Sequence, residues 1–176
     1  MGDRPDPGAV ATHHGREYKE AALTIDMRDL VCAELDKRGM KYITDRDDER
    51  LAEYIKRIKP GSGSVLCEIH FNAATPAATG TETLVKNAAT TTEWDMAKEL
   101  SDSTAQILGI ANRGVKSEAD SHRGKLGVLH TGAGISTLTE VCFISNEHDV
   151  EQYLKHKHEL AVMYADVLVK YEAKYT

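Results

Sequence analysis

Ser64-Val65-Leu66-Cys67-Glu68-Ile69-His70-Phe71 is the stretch that decides how this chain must fold. Its residues alternate. Val65, Cys67, Ile69 and Phe71 fall on one side of an extended strand, and Leu66, Glu68 and His70 on the other. Pro60-Gly61-Ser62-Gly63 breaks the chain immediately before it. Upstream, residues 17–38 carry Leu23, Met27, Leu30, Val31 and Leu35 at helical spacing until Gly39 stops the run, and residues 47–59 repeat the pattern with Leu51, Tyr54, Ile55 and Ile58. Downstream, residues 92–108 read as a helix built around Trp94, Ala97, Leu100 and Ile107. Residues 149–171 read as a closing helix with Leu160, Tyr164, Val167, Leu168 and Tyr171 inward. Further strands are expected at 40–44, 81–86, 125–130 and 136–144. Strands alternating with helices predict an α/β fold, a mostly parallel twisted sheet flanked by helices on both faces. In such sheets, sites gather at the carboxyl ends of the strands.

The chain has 176 residues, which predicts a single domain over 1–176 with a core that needs no disulfide or structural metal. Cys32, Cys67 and Cys142 are dispersed and odd in number, so they read as free thiols. Lys and Arg total 22 against 28 for Asp and Glu, a formal charge of −6. That excludes a nucleic-acid binder relying on a basic surface, and gives no attraction to an anionic membrane. No apolar stretch approaches the roughly 18 residues of a membrane span. The N-terminus has no apolar core of a signal peptide.

Two polar residues sit where strands should end. His70, on an otherwise apolar strand, is either a hydrogen-bonded core histidine or a metal ligand. Glu140, in Leu138-Thr-Glu-Val-Cys-Phe-Ile-Ser-Asn, is either a salt-bridged strand glutamate or a general base. Glu17 and Glu20 open the predicted first helix, where favourable interaction with the helix dipole explains most glutamates. His13 and His14 fall in a polar loop, and His122, His148, His156 and His158 in charged, solvated surroundings.

In order along the chain come Asp6-Pro-Gly-Ala, Glu20-Ala-Ala-Leu, Glu68-Ile-His-Phe-Asn-Ala, Gly80-Thr-Glu-Thr, Asn112-Arg-Gly-Val-Lys, Leu126-Gly-Val-Leu and the Glu140 block. Together they resemble the zinc-dependent N-acetylmuramoyl-L-alanine amidases of the Amidase_3 type, the autolysins and phage endolysins that cut bacterial peptidoglycan. The resemblance implies Zn2+ as cofactor, with Glu20 and His70 as metal ligands and Glu140 as the catalytic glutamate. It implies peptidoglycan as partner, while the charge and the apolar patterning give no nucleic acid and no membrane insertion; the sequence does not fix the oligomeric state, for which a monomer is the expectation. Asn72 would line the site, and Arg113 is either a substrate contact or a structural ion pair.

One departure matters. The family's first strand, ending in Gly-His-Gly with the first zinc ligand, is absent: Met1, Gly2 or Asp3 stands where that histidine would fall. Three readings follow. The sequence is a piece whose upstream residues carry the ligand, or His13 or His14 replaces it, or catalysis is lost and the domain is an inactive wall-binding module. Without an export signal, the expectation is an endolysin-like protein held in the cytoplasm until release to the wall, or part of a longer secreted protein.

Overall fold

The computed structural model describes residues 6–121 and 124–175. Its elements are β1 (Val10–His13), β2 (Arg16–Lys19), α1 (Glu20–Lys37), α2 (Leu51–Ile58), β3 (Val65–Asn72), β4 (Thr81–Val85), α3 (Thr91–Leu108), β5 (Asn112–Ser117), β6 (Ile135–Phe143) and α4 (Glu147–Glu172). Short 3-10 turns at Glu118–Asp120 and Gly127–His130 join β5 to β6. The sheet runs β3-β6-β4-β5. The β3–β6 and β4–β5 pairs are parallel and β4–β6 is antiparallel, so the sheet is mostly parallel.

Alternation in the strands builds two apolar layers. One face packs Phe71 and Val141 against Met27 and Val31 of α1, Met96 and Leu100 of α3, and Tyr153 and Tyr164 of α4. Phe71 and Tyr153 meet edge to face, with ring centroids 4.8 Å apart, the arrangement aromatic quadrupoles favour. On the other face, Leu66, Leu84 and Leu138 meet Ile58 of α2 and Val128 and Leu129 of the second 3-10 turn. Helical layers therefore cover both faces, as the strand pattern predicts.

Several local expectations are corrected. The first helix begins at Glu20, not at residue 17: residues 16–19 pair antiparallel with 10–13 as a hairpin. The turn is His14-Gly15, both with positive φ (50° and 76°), which suits a two-residue hairpin turn. Residues 40–44 form no ladder, and Ile43 is 65% exposed. β3 is an edge strand among the described residues, and a groove of about 400 Å³, lined by Val31, Leu35, Tyr42, Val65 and Cys67, runs beside it. Residues 125–130 are not a strand: Gly127–His130 is a 3-10 turn, and it buries Val128 and Leu129 side by side in the second apolar layer. β5 has too little apolar patterning to be read from sequence. Trp94 lies outside: α3 buries Met96, Ala97, Leu100, Thr104 and Leu108, and Trp94 is about 200° round the helix from Met96.

Candidate active site

The site forms at one end of the second face. In the β3–β6 ladder His70 stands opposite Glu140, and in the β6–β4 ladder Glu140 stands opposite Glu82. Three polar side chains thus lie in one row across three strands. His70 and Glu140 are near the carboxyl ends of their parallel strands, where α/β sheets place their sites.

Irregular pairing adds to this row. His70 and Asn72, two apart, oppose Glu140 and Phe143, three apart. The extra residue in β6 is a bulge, and a bulge re-aims the side chains beyond it. It lets Cys142 join the first core while Phe143 turns to the Arg113 guanidinium, 5.0 Å from its ring centroid.

Glu20 arrives from elsewhere in the chain. As the first residue of α1 it follows directly on the hairpin, and its N–H donates to the Ala9 carbonyl at 2.8 Å. Its carboxylate Oε2 accepts from the Ala9 N–H at 2.9 Å. Oε1 accepts from the Phe71 N–H at 3.4 Å and lies 2.8 Å from His70 Nδ1. The Asp6-Pro-Gly-Ala motif gains a reason here. Gly8 has φ +66°, and a Cβ there would stand 2.6 Å from Glu20 Oε2. Gly8→Ala is expected to displace the Glu20 carboxylate and to cost about 1–3 kcal/mol of stability. A thermal melt should show the loss, and an unchanged melting temperature would refute the tight fit.

The electrostatics follow from burial and pairing. Burial alone would raise the Glu20 pKa, but the His70 imidazole and the two backbone N–H groups hold it below the usual carboxylate range. Burial alone would lower His70. Glu20 at 2.8 Å, Glu68 Oε1 at 3.6 Å from Nε2, and the charge of Glu140 outweigh it and push His70 up to about 10. In the metal-free chain His70 is therefore an imidazolium paired with Glu20. A pKa raised in the folded state adds stability that is complete below the unfolded value of 6.5 and disappears as pH rises through about 10. The metal-free chain should accordingly lose stability between those limits, and His70→Gln should flatten that part of the profile. A wild-type denaturation profile level from pH 6.5 to 10 would contradict this pairing.

The other sequence candidates go elsewhere. Glu17 lies on β2, exposed. His13 Nε2 lies 2.8 Å from the Ile144 carbonyl oxygen. His14 pairs with Glu147 at the start of α4. With Glu151 these two form a group of three donors within 4.8 Å of one another, which does not include Glu20 or His70. His156 is beside Glu159, His148 and His158 are exposed, and His122 falls outside the described residues. Sequence reading assigned no role to Glu68, Glu82 or Lys116. Glu68 was detectable as a carboxylate two residues before His70 on the same strand face.

Zinc fits the Glu20–His70 pair by donor chemistry, one carboxylate oxygen beside one imidazole nitrogen. A catalytic zinc takes three protein donors and keeps one position open. Among the described residues this pair supplies two, and Met1, Gly2 and Asp3 lie outside them.

Comparison with known proteins gives the family and the fold. The profile of the Amidase_3 family, described as N-acetylmuramoyl-L-alanine amidase, matches residues 2–168. No curated protein sequence matches the chain. Among solved structures, the catalytic domain of CwlV, an N-acetylmuramoyl-L-alanine amidase from Bacillus (Paenibacillus) polymyxa var. colistinus, aligns with a TM-score of 0.78 at 22% identity, over 96% of this chain and 92% of that one. An N-acetylmuramoyl-L-alanine amidase from Clostridium difficile 630 aligns with a TM-score of 0.77 at 21% identity, over 96% and 90%. Cwp6 from Clostridium difficile gives 0.77 at 23% identity over 97% of this chain, which spans only 27% of that protein. At these identities the structures establish a shared fold.

Proposed function

The chain belongs to the Amidase_3 family of N-acetylmuramoyl-L-alanine amidases, and from that premise we propose that it hydrolyses the amide joining N-acetylmuramic acid to L-alanine in peptidoglycan. The observation that carries this reading is the convergence of Glu20 and His70, 2.8 Å apart, beside the row that holds Glu140. Glu20 and His70 would hold Zn2+. When bound, zinc would acidify a water and polarise the scissile carbonyl. Glu140 carries the proton. It accepts one from the attacking water as the oxygen bonds to the carbonyl carbon. It then returns a proton to the alanine nitrogen as the C–N bond breaks. The products are a lactyl carboxylate on the sugar and a free α-amine on the peptide. The Ala9 and Phe71 N–H groups keep the Glu20 carboxylate fixed, and Asn72, 3.3 Å from Glu82, braces the strand end.

Digestion of purified cell wall tests this. Release of new N-terminal alanine without new reducing sugar ends is the expected result, and reducing ends alone would overturn the assignment. A second reading, an inactive amidase-like module that binds the wall, is favoured only by the count of two donors among the described residues. Wall binding with no amine release at saturating zinc would establish it in place of the first. Among the described residues no helix is long and apolar enough to cross a membrane.

A further inference from the structure

Glu82 is 8% exposed, yet two cations converge on one of its oxygens. Arg113 Nε donates to Oε2 at 2.6 Å, and Lys116 Nζ donates to the same oxygen at 2.6 Å. Three residues apart, Arg113 and Lys116 would normally point to opposite faces of a strand. The β4–β5 ladder shows why they do not. Thr81 and Thr83 pair with Asn112 and Val115, so β5 carries an extra residue, and Gly114 within the bulge has φ +77°. The bulge brings both cations onto one carboxylate.

The arrangement leaves part of the Arg113 donor set unused. Two cations meet at one oxygen of Glu82, and Glu140 stands opposite Glu82 in the β6–β4 ladder, so what is left for a ligand is the unused edge of the Arg113 guanidinium. Arg113 spends only Nε on Glu82. Among the described residues its two terminal nitrogens make no hydrogen bond, although its side chain is 38% exposed. A guanidinium with its forked edge unused is the group best matched to a carboxylate. Glu82 holds it in place and so lowers the entropy lost on binding. The Phe143 ring under the guanidinium fixes its plane.

We propose that Arg113 and Lys116, clamped by Glu82, form a subsite for a carboxylate on the peptide side of the scissile bond. Resting on the amidase reading, this selects stems in which the second residue keeps its free α-carboxylate over stems in which that group is amidated. The reach is consistent. β5 lies two strand spacings from β6, about 10 Å, and the Arg113 side chain folds back towards β6 to lie over Phe143. The second stem residue lies about 7 Å along an extended chain from the scissile nitrogen.

Isothermal titration of the full-length, zinc-supplemented Glu140→Gln chain, in which hydrolysis is suppressed, tests the subsite with two probes, N-acetylmuramoyl-L-alanyl-γ-D-glutamyl-L-lysine and its D-isoglutaminyl counterpart. These differ only in carboxylate against carboxamide. The carboxylate form is expected to bind about tenfold more tightly, and the same chain with Arg113→Gln added should bind both alike. Retained binding of the carboxamide form shows that this variant is folded. Equal binding of both probes to the chain with Arg113 intact would overturn the subsite and leave the amidase reading standing. Binding of neither would overturn both.

Discussion

Glu140→Gln is expected to lower the release of N-terminal alanine from cell wall by about 100- to 10,000-fold, the usual contribution of a positioned acid–base group. Glutamine keeps the size and polarity of the side chain but cannot accept a proton from water. Glu140 stands in the sheet row opposite both His70 and Glu82, so a shorter side chain would also disturb its neighbours, and the isosteric change is the cleaner test. Metal content and melting temperature should stay near wild type. Activity within a few-fold of wild type would remove Glu140 from the proton-transfer role.

The second large effect concerns the metal. His70→Ala and Glu20→Gln are each expected to abolish retention of stoichiometric zinc after dialysis, read by elemental analysis, and amine release with it. Each change removes half of a two-donor pair 2.8 Å apart. Glu20→Gln separates ligation from packing, because the amide still fills the space beneath Gly8. Zinc retained at wild-type stoichiometry in both variants would place the metal elsewhere. The exposed group of His14, Glu147 and Glu151 would be the next candidate, and His14→Ala would then release the metal.

The strand at 65–72 was legible from sequence because eight residues alternate without a break. The closing helix was legible because its apolar positions repeat over several turns. His70 was legible as an imidazole on an otherwise apolar strand, whereas Glu20, an ordinary first-turn carboxylate, was singled out only by the family resemblance. Periodicity alone did not separate Glu17 from Glu20, since both precede the same apolar stripe; the family resemblance favoured Glu20. The hairpin gives the two different surroundings, taking residues 16–19 into a ladder and leaving Glu20 to begin the helix. The 40–44 segment misled for the opposite reason. An apolar alternating run becomes a strand only when a partner edge supplies its hydrogen bonds, and among the described residues none does.

The sequence by itself determined the α/β class and the strand at 65–72 and, through its resemblance to a family, Glu20, His70 and Glu140 as the residues to watch. Only the tertiary structure decided which faces they share. Side-chain direction in a strand has a period of two, so one extra residue reverses everything beyond it. Two such residues, in β5 and β6, put Arg113 with Lys116 and Glu140 with Phe143 on one side of the sheet. A bulge exists only relative to a partner strand, and partners are set by packing far along the chain rather than by local alternation.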